Sequence, residues 1–155
     1  MGRWATTQDR MRRLRGVTLR RATNLVRLQW SYRQAQRTGQ PAMPAGTMPA
    51  SISIEPTTSC NLRCPECPSG LRAFTRPTGM LDVAAATSWI DELAPWLTYV
   101  NLYFQGEPLL HPELETVIAR CSHHNLYSST STNAHHLSEA RCRSLIEAGL
   151  SRLIV

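Results

Sequence analysis

From residue 51 onward, β-prone runs alternate with segments that have helical spacing. The predicted elements, beginning with a strand and ending with one, lie at residues 51–55, 81–93, 99–104, 111–124, 126–131, 138–148 and 152–155. Asp82 lies near the start of the first helix, Ser138 begins the last helix as its N-cap, and Gly149 follows that helix as a stop signal. This order is typical of βαβ units on a parallel sheet, so the chain is predicted to be an α/β protein.

A chemically distinctive motif follows each of the first three predicted strands. The first strand leads to Cys60, Cys64 and Cys67, the second to residues 106–108, and the third to residues 132–133. Because the carboxyl ends of parallel strands meet at one edge of a sheet or barrel, we expect these three motifs to converge. The sequence therefore predicts a binding site at that edge.

The cysteine spacing is suited to an iron–sulfur cluster with an open coordination position. Three thiolates from one loop hold a [4Fe–4S] cube with one iron free to bind a small molecule. Pro65 and Pro68 are predicted to keep the loop out of a helix so that the sulfurs converge. The amides of Asn61 and Leu62 are expected to donate to cluster sulfur. The alternative is a zinc knuckle completed by a histidine, although no histidine lies close in sequence.

The remaining cysteines and the paired histidines have simpler interpretations. Cys121 and Cys142 lie in predicted helices and are interpreted as small buried residues or spare thiols rather than further ligands. The pairs 123–124 and 135–136 resemble metal-binding histidines, but they are placed at a helix end and in a loop. Neither group is predicted to hold the cluster.

All seventeen basic residues are arginines, and they are concentrated at the N-terminus. Residues 1–40 hold ten of them with one acid, whereas residues 41–155 hold seven with ten acids. The net charge of +6 therefore describes the N-terminal segment, and no nucleic-acid partner is predicted. We predict an arginine-rich, amphipathic helical prefix over 1–40, a linker over 41–49 and a domain over 50–155.

Three interpretations of the prefix remain open at this stage. It is a helical segment that docks on the domain, a surface that meets anionic lipid, or an arginine-rich transit peptide. No apolar run approaches the length of a membrane span. Five cysteines, three of them clustered and none behind a secretory signal, favour a reducing compartment, and we expect a cytoplasmic protein.

Over residues 50–155 the chain resembles the N-terminal part of a radical S-adenosylmethionine (radical SAM) enzyme. The resemblance rests on Cys60-x-x-x-Cys64-x-x-Cys67, on Gly106-Glu107-Pro108 and on residues 131–133. The wider sequence around these motifs resembles the SPASM group, which includes peptide-modifying enzymes. The resemblance implies a partial (βα)6 barrel of the TIM type, truncated after about three and a half βα units. We therefore expect a fragment or one half of a split protein.

The resemblance also implies a reaction. Cys60, Cys64 and Cys67 hold a [4Fe–4S] cluster whose unique iron chelates S-adenosylmethionine. Reductive cleavage of S-adenosylmethionine yields methionine and a 5′-deoxyadenosyl radical, which takes a hydrogen atom from a substrate, here a peptide or protein. The expected electron donor is a flavodoxin or a ferredoxin. The alternative function is a nonenzymatic zinc or iron–sulfur module, or an inactive fragment.

The resemblance assigns the cofactor contacts to two loops. Gly106 lets the backbone approach the ligand closely. The segment Gly106-Glu107-Pro108 holds the methionine ammonium, with Glu107 accepting or orienting its hydrogen bonds. Thr132 and Asn133 lie near the ribose or the carboxylate of S-adenosylmethionine.

Overall fold

A computed structural model describes residues 3–40 and 43–155, so that two residues at the start and two in the predicted linker lie outside it. In chain order the elements are α1 (Arg3–Arg15), α2 (Leu19–Thr38), β1 (Ser51–Ser53), α3 (Pro68–Leu71), α4 (Val83–Leu93), β2 (Tyr99–Asn101), α5 (Leu114–His123), β3 (Tyr127–Ser131), α6 (Glu139–Glu147) and β4 (Arg152–Ile154). A 3₁₀ turn over Pro108–Leu110 follows β2.

The four strands form one parallel sheet in the order β1-β2-β3-β4. In the register, Ile52 lies beside Val100, Val100 beside Ser128, and Thr130 beside Leu153. Each strand pairs with the next one along the chain, after a helical connection. The predicted α/β class and the parallel sheet are confirmed.

The sequence pattern placed the start of α5 three residues too early. The predicted helix began at His111, whereas the observed helix begins at Leu114. Pro112 restricts the residue before it to extended backbone, and His111 has φ −76° and ψ 121°. At the predicted N-cap Ser138, the side chain accepts from the third amide of α6, as expected, and the structure shows that Asp82 caps α4 in the same way.

One face of the sheet packs against α4, α5 and α6 to form the hydrophobic core. The fully buried members of this core include Ile90, Leu97, Val100, Leu102, Ile118 and Cys121. Burial raises the pKa of the Cys121 thiol to about 12, which is the behaviour of an unreactive core residue. The prediction for Cys121 is confirmed, and Cys142 is half-buried on α6.

The other face of the sheet is polar. Ser53, Asn101 and Ser129 lie side by side in the register. Asn101 Nδ2 donates to Ser53 Oγ at 3.2 Å, and Ser129 Oγ donates to Asn101 Oδ1 at 3.1 Å. Beside them the rings of Tyr99 and Tyr127 stack with centroids 5.5 Å apart. These polar side chains mean that the second face does not pack as another hydrophobic layer like the first.

Helix α2 is fastened to the domain by the buried guanidinium of Arg21, which is 5% exposed. Its Nε and Nη2 donate to Ala94 O at 3.0 and 2.8 Å, and Nη2 also donates to His124 O at 2.8 Å. Ala94 and His124 are the C-caps of α4 and α5, so one cation satisfies carbonyls at two helix ends. Burial lowers the pKa of Arg21, but a guanidinium remains charged at neutral pH.

Helix α1 makes a second contact with the domain. The hydroxyl of Tyr127 donates to the carboxylate of Asp9, and this hydrogen bond holds the pKa of Asp9 below its usual value. The guanidinium of Arg13 lies 4.6 Å from the ring centroid of Tyr127. The structure thus shows both N-terminal helices in contact with the domain, as the first interpretation of the prefix predicted. No helix among the described residues is long and apolar enough to cross a bilayer.

Candidate cluster and cofactor site

The carboxyl ends of β1, β2 and β3 bring the three sequence motifs together, as their positions predicted. The amide of Glu107, in the loop after β2, donates to Ser59 O at 2.8 Å, just before the first cysteine. The loop after β3 reaches the cysteine loop through Asn133 Nδ2, which lies 2.8 Å from Asn61 Oδ1 and 3.9 Å from Cys60 Sγ. Three loops that are far apart in sequence therefore form one edge.

Glu107 is the centre of this edge. Its side chain is 2% exposed, and its carboxylate accepts three hydrogen bonds. Oε1 accepts from Leu109 N at 3.1 Å and from Thr132 Oγ1 at 2.6 Å, and Oε2 accepts from Asn133 N at 2.8 Å. Burying a carboxylate is costly unless such donors replace water. No salt bridge of the described residues involves Glu107, so neutral donors alone compensate its burial.

The cysteine loop presents its three thiols to different degrees. Cys60 and Cys67 are half-buried, and Cys64 is exposed. The amide of Leu62 donates to Cys60 Sγ at 3.4 Å, and its effect on a cluster stays a prediction. Hydrogen bonding from the backbone amide of Gly70 lowers the pKa of the Cys67 thiol, which favours the thiolate that a metal binds.

The expected effect of Pro68 is wrong. It was predicted to keep the loop out of a helix, but it begins the short helix α3, for which Cys67 is the N-cap residue. Proline is tolerated at the first helical position because its missing amide has no partner there. A Cβ on Gly70 would lie 2.5 Å from both N and O of Cys64, so α3 packs directly on the cysteine backbone. The helix thereby shapes the loop instead of being excluded from it.

The donor set suits an iron–sulfur cluster. It offers three free thiols on one eight-residue loop, with backbone amides directed at two of them. Among residues 3–40 and 43–155, no three His, Cys, Asp or Glu side chains already form a metal-binding group. The ligand roles of Cys60, Cys64 and Cys67 thus remain predictions. Beside the loop, a cavity of about 320 Å³ is lined by Cys60, Ser69 and Arg72, at the lower end of the size range of small-molecule sites.

Two residues that the sequence analysis did not single out hold the site together. Ser69 Oγ accepts from Gly106 N at 2.9 Å and donates to Gln105 Oε1 at 3.2 Å, so it joins α3 to the loop after β2. His111 is 2% exposed. Its Nε2 donates to Leu81 O at 2.9 Å and its Nδ1 accepts from Glu113 N at 3.1 Å. The local sequence gives little sign of these roles. Ser69 follows a proline near the cysteines, and His111 stands in a Leu-His-Pro sequence.

Gly106 is required by the protein backbone itself. It has φ +72°, and a Cβ there would lie 2.2 Å from Thr57 O and 2.7 Å from Ser59 O. The backbone at Gly106 therefore approaches the segment that leads into the cysteine loop, and its approach to the ligand stays a prediction.

Replacing Gly106 by alanine is expected to destabilise the protein by about 2–3 kcal/mol. The left-handed φ is unfavourable for alanine, and the new Cβ would clash with two carbonyl oxygens. Urea unfolding, monitored by circular dichroism, measures this effect. Gly79→Ala is the matched control, because Gly79 has an ordinary φ and open space around its Cβ position. Equal stability of the two variants would refute the packing argument.

The histidine pairs lie where the sequence placed them. His123 ends α5, His124 is its C-cap, and residues 135–136 lie in the loop before α6. His124 Nε2 lies 2.8 Å from Asp91 Oδ1, and the hydrogen bond from Arg120 lowers the pKa of Asp91 to about 2. Asp91, Arg120 and His124 form a half-buried polar cluster on α4 and α5 that is separate from the site edge.

Comparison with known proteins agrees with this fold. A parallel α/β sheet with a three-cysteine loop after its first strand defines a class of cluster-binding enzyme domains. Residues 54–155 match the radical SAM superfamily, and the chain belongs to that family. Its members use a [4Fe–4S] cluster and S-adenosylmethionine.

Among the curated relatives are the PqqA peptide cyclases. The one from Gluconobacter oxydans (strain 621H) is 32% identical over 106 residues, which cover 68% of this chain and 29% of that protein. The S-adenosyl-L-methionine-dependent 2-deoxy-scyllo-inosamine dehydrogenase of Niallia circulans is 27% identical over 67% of this chain and 43% of its own length. This chain thus spans less than half the length of these relatives.

Solved structures show the same fold. BtrN in complex with AdoMet and 2-DOIA superimposes with a TM-score of 0.60 and 25% identity, over 70% of this chain and 45% of BtrN. Streptococcus suis SuiB bound to S-adenosylmethionine gives a TM-score of 0.53 at 15% identity, over 77% of this chain and 25% of SuiB.

Proposed function

We propose that this chain forms the cluster-binding part of an enzyme that cleaves S-adenosylmethionine reductively and acts on a peptide or protein. The single observation that carries this proposal is the convergence of Cys60, Glu107 and Asn133 at one edge of the sheet. The peptide class of substrate is supported by the relatives named PqqA peptide cyclase. Cluster and S-adenosylmethionine together would supply a 5′-deoxyadenosyl radical that abstracts hydrogen from the substrate.

In this proposal the cysteine loop supplies thiolate ligands. Cys60, Cys64 and Cys67 hold the cluster, and the amides of Leu62 and Gly70 stabilise negative charge on two of the sulfurs. The half-buried positions of two thiols and the exposure of the third leave one side of the loop open. A one-electron donor such as a flavodoxin or ferredoxin would approach from that side.

Glu107 has a positioning role and one direct role. A carboxylate has about four lone-pair sites, and three are used by Leu109, Thr132 and Asn133. One acceptor site on Oε2 remains for the methionine ammonium of S-adenosylmethionine. The other three bonds hold residues 106–108 and 132–133 in place, so that Gly106, Pro108, Thr132 and Asn133 contribute their backbone and side-chain groups at fixed positions.

We further propose that residues 50–155 form part of the catalytic domain, with 1–40 as a docked prefix and 41–49 as a linker. A cluster held by thiolates is sensitive to oxidation, and all five cysteines are free. These properties suit a reducing compartment, and we propose a cytoplasmic location.

Removing the cysteine ligands is the direct test. Anaerobic reconstitution of the chain is expected to give about four iron and four sulfide per molecule, with an EPR signal of the reduced cluster that changes when S-adenosylmethionine is added. Cys60→Ala, Cys64→Ala and Cys67→Ala are each expected to lose most of the iron, because a cube needs its thiolates. Cys142→Ala, on α6, is the matched control and should load normally.

Two outcomes would contradict this assignment. About one zinc per chain without sulfide would identify the nonenzymatic zinc module instead. A fully loaded cluster whose EPR signal is unchanged by S-adenosylmethionine would leave an iron–sulfur module without the proposed cofactor.

A further inference from the structure

Helix α2 has two opposite faces of different character. Its docked face carries the buried residues Arg21, Asn24 and Ser31. Leu19, Val26 and Trp30 recur at spacings of seven and four on the opposite face, and they are 83%, 69% and 51% exposed. Large apolar side chains on the outward face of a docked helix contribute nothing to the core, so they need another explanation.

The same face is strongly basic. Arg33 and Arg37 continue the outward row by one helical turn each, and α2 holds five arginines without a single acid. Between Asp9 and Glu55 the sequence contains no acidic residue. None of the salt bridges of the described residues involves an arginine of α2. The positive charge is therefore uncompensated within the described part of the chain.

A groove lies beside this face. It has a volume of about 590 Å³ and is lined by Arg20, Arg27, Thr23 and Trp96, among others. The guanidinium of Arg20 lies 5.6 Å from the ring centroid of Trp96. Two guanidiniums beside a hydroxyl and an aromatic ring present donors suited to a phosphate group next to an apolar wall.

We propose that the outward face of α2, together with this groove, binds the surface of an anionic lipid bilayer. Arginines 20, 27, 33 and 37 meet the phosphate headgroups, while Leu19, Val26 and Trp30 enter the boundary between headgroups and acyl chains. An acidic protein partner would pair with the arginines but would leave the apolar row without a partner. The apolar row with a half-exposed tryptophan favours the bilayer, because tryptophan is enriched at membrane interfaces.

The docking of α2 sets the orientation of the domain on such a surface. Arg21 binds Ala94 and His124, which precede β2 and β3 and thus mark the amino ends of the strands. The cysteine loop lies at the carboxyl ends, on the opposite side. A bilayer at α2 therefore leaves the site edge open to substrate and to an electron donor.

Vesicle co-sedimentation of the full chain tests this proposal. The protein is expected to bind vesicles that contain phosphatidylcholine and phosphatidylserine, but not vesicles made only of phosphatidylcholine. It should dissociate from the mixed vesicles as the salt concentration is raised. The double variant Arg33→Gln/Arg37→Gln should bind the mixed vesicles about 30-fold more weakly, at roughly one kilocalorie per arginine. Arg143→Gln, on the exposed side of α6, is the matched control and should bind like the unmodified protein.

Tryptophan fluorescence supplies an independent readout. Mixed vesicles should shift the emission to the blue, and Trp30→Phe should make that shift smaller. Equal vesicle binding by the double variant and the unmodified protein would overturn the proposal. Binding to soluble poly-glutamate without binding to vesicles would overturn it in favour of an acidic protein partner. All these measurements use protein without added cluster or substrate, so they do not depend on the proposed reaction.

Discussion

Glu107→Ala is expected to lower the free energy of unfolding by about 3–5 kcal/mol, although it changes a single side chain at the edge of the sheet. The substitution leaves Leu109 N, Asn133 N and the Thr132 hydroxyl without their buried acceptor. Each buried donor left unsatisfied costs about 1–3 kcal/mol, and a water that enters the space recovers part of this. Urea unfolding measures the effect.

Glu107→Gln separates structure from cofactor binding. Glutamine keeps the side-chain volume and one acceptor oxygen. Its NH2 group, however, would face the Asn133 N–H, so that two donors would point at each other. The variant should fold with a smaller loss of stability and, after anaerobic reconstitution, bind S-adenosylmethionine at least about tenfold more weakly, because a neutral amide attracts an ammonium far less than a carboxylate does. Isothermal titration calorimetry with the loaded protein gives the affinity.

Glu113→Gln is the matched control for both variants. Glu113 is exposed, and its side chain makes no cap hydrogen bond at the start of α5. Unchanged stability of Glu107→Ala would refute the role of Glu107 as the shared acceptor of three loops. If Glu107→Gln bound S-adenosylmethionine with unchanged affinity, Glu107 would have a structural role only and no direct contact with the ammonium group.

Arg21→Ala is expected to have the second large effect, a loss of about 3 kcal/mol in the free energy of unfolding. The side chain fills a buried position and donates to the last carbonyls of α4 and α5 through Ala94 and His124. Removing it leaves those carbonyls without a charged donor and opens a cavity beneath α2. Arg21→Lys should recover only part of the stability, because an ammonium cannot reproduce the planar fork of the guanidinium.

Arg33→Ala is the control for this experiment, because Arg33 is exposed on the opposite face of the same helix. Limited proteolysis adds a second readout: α2 should be cut faster in Arg21→Ala than in Arg33→Ala if Arg21 holds the helix in place. Equal cutting rates and equal stabilities would mean that other contacts, such as that of Asp9 with Tyr127, fasten the N-terminal helices without Arg21.

The N-terminal helices show why an arginine-rich composition is ambiguous by itself. Of the arginines in α2, Arg21 is buried and fastens the helix, whereas Arg33 and Arg37 point away from the domain. The sequence left docking, lipid contact and a transit peptide as alternatives for the prefix. The structure shows docking through one face of α2 and leaves the other face exposed, and the proposed lipid contact concerns that exposed face.

The order of strands and helices and the position of each motif were predictable from the sequence alone. Periodicity, N-caps such as Ser138 and the stop at Gly149 are local signals, and they act over a few residues. The errors in the predicted helices arose at prolines, which can either prevent a helix or begin one. Pro68 was expected to prevent a helix but begins α3, and Pro112 delayed α5 to Leu114.

The contacts that build the site were decided only by the tertiary structure. Glu107 meets Thr132 across 25 positions of sequence, and Arg21 meets Ala94 and His124 across 73 and 103. No local pattern encodes such partners, because they depend on strand register and on how helices pack across the sheet. The sequence by itself predicted which residues carry the chemistry, and it placed them after strands whose carboxyl ends form one edge. The fold decided which of them share a hydrogen bond, since burial makes each polar group depend on the one partner within its reach.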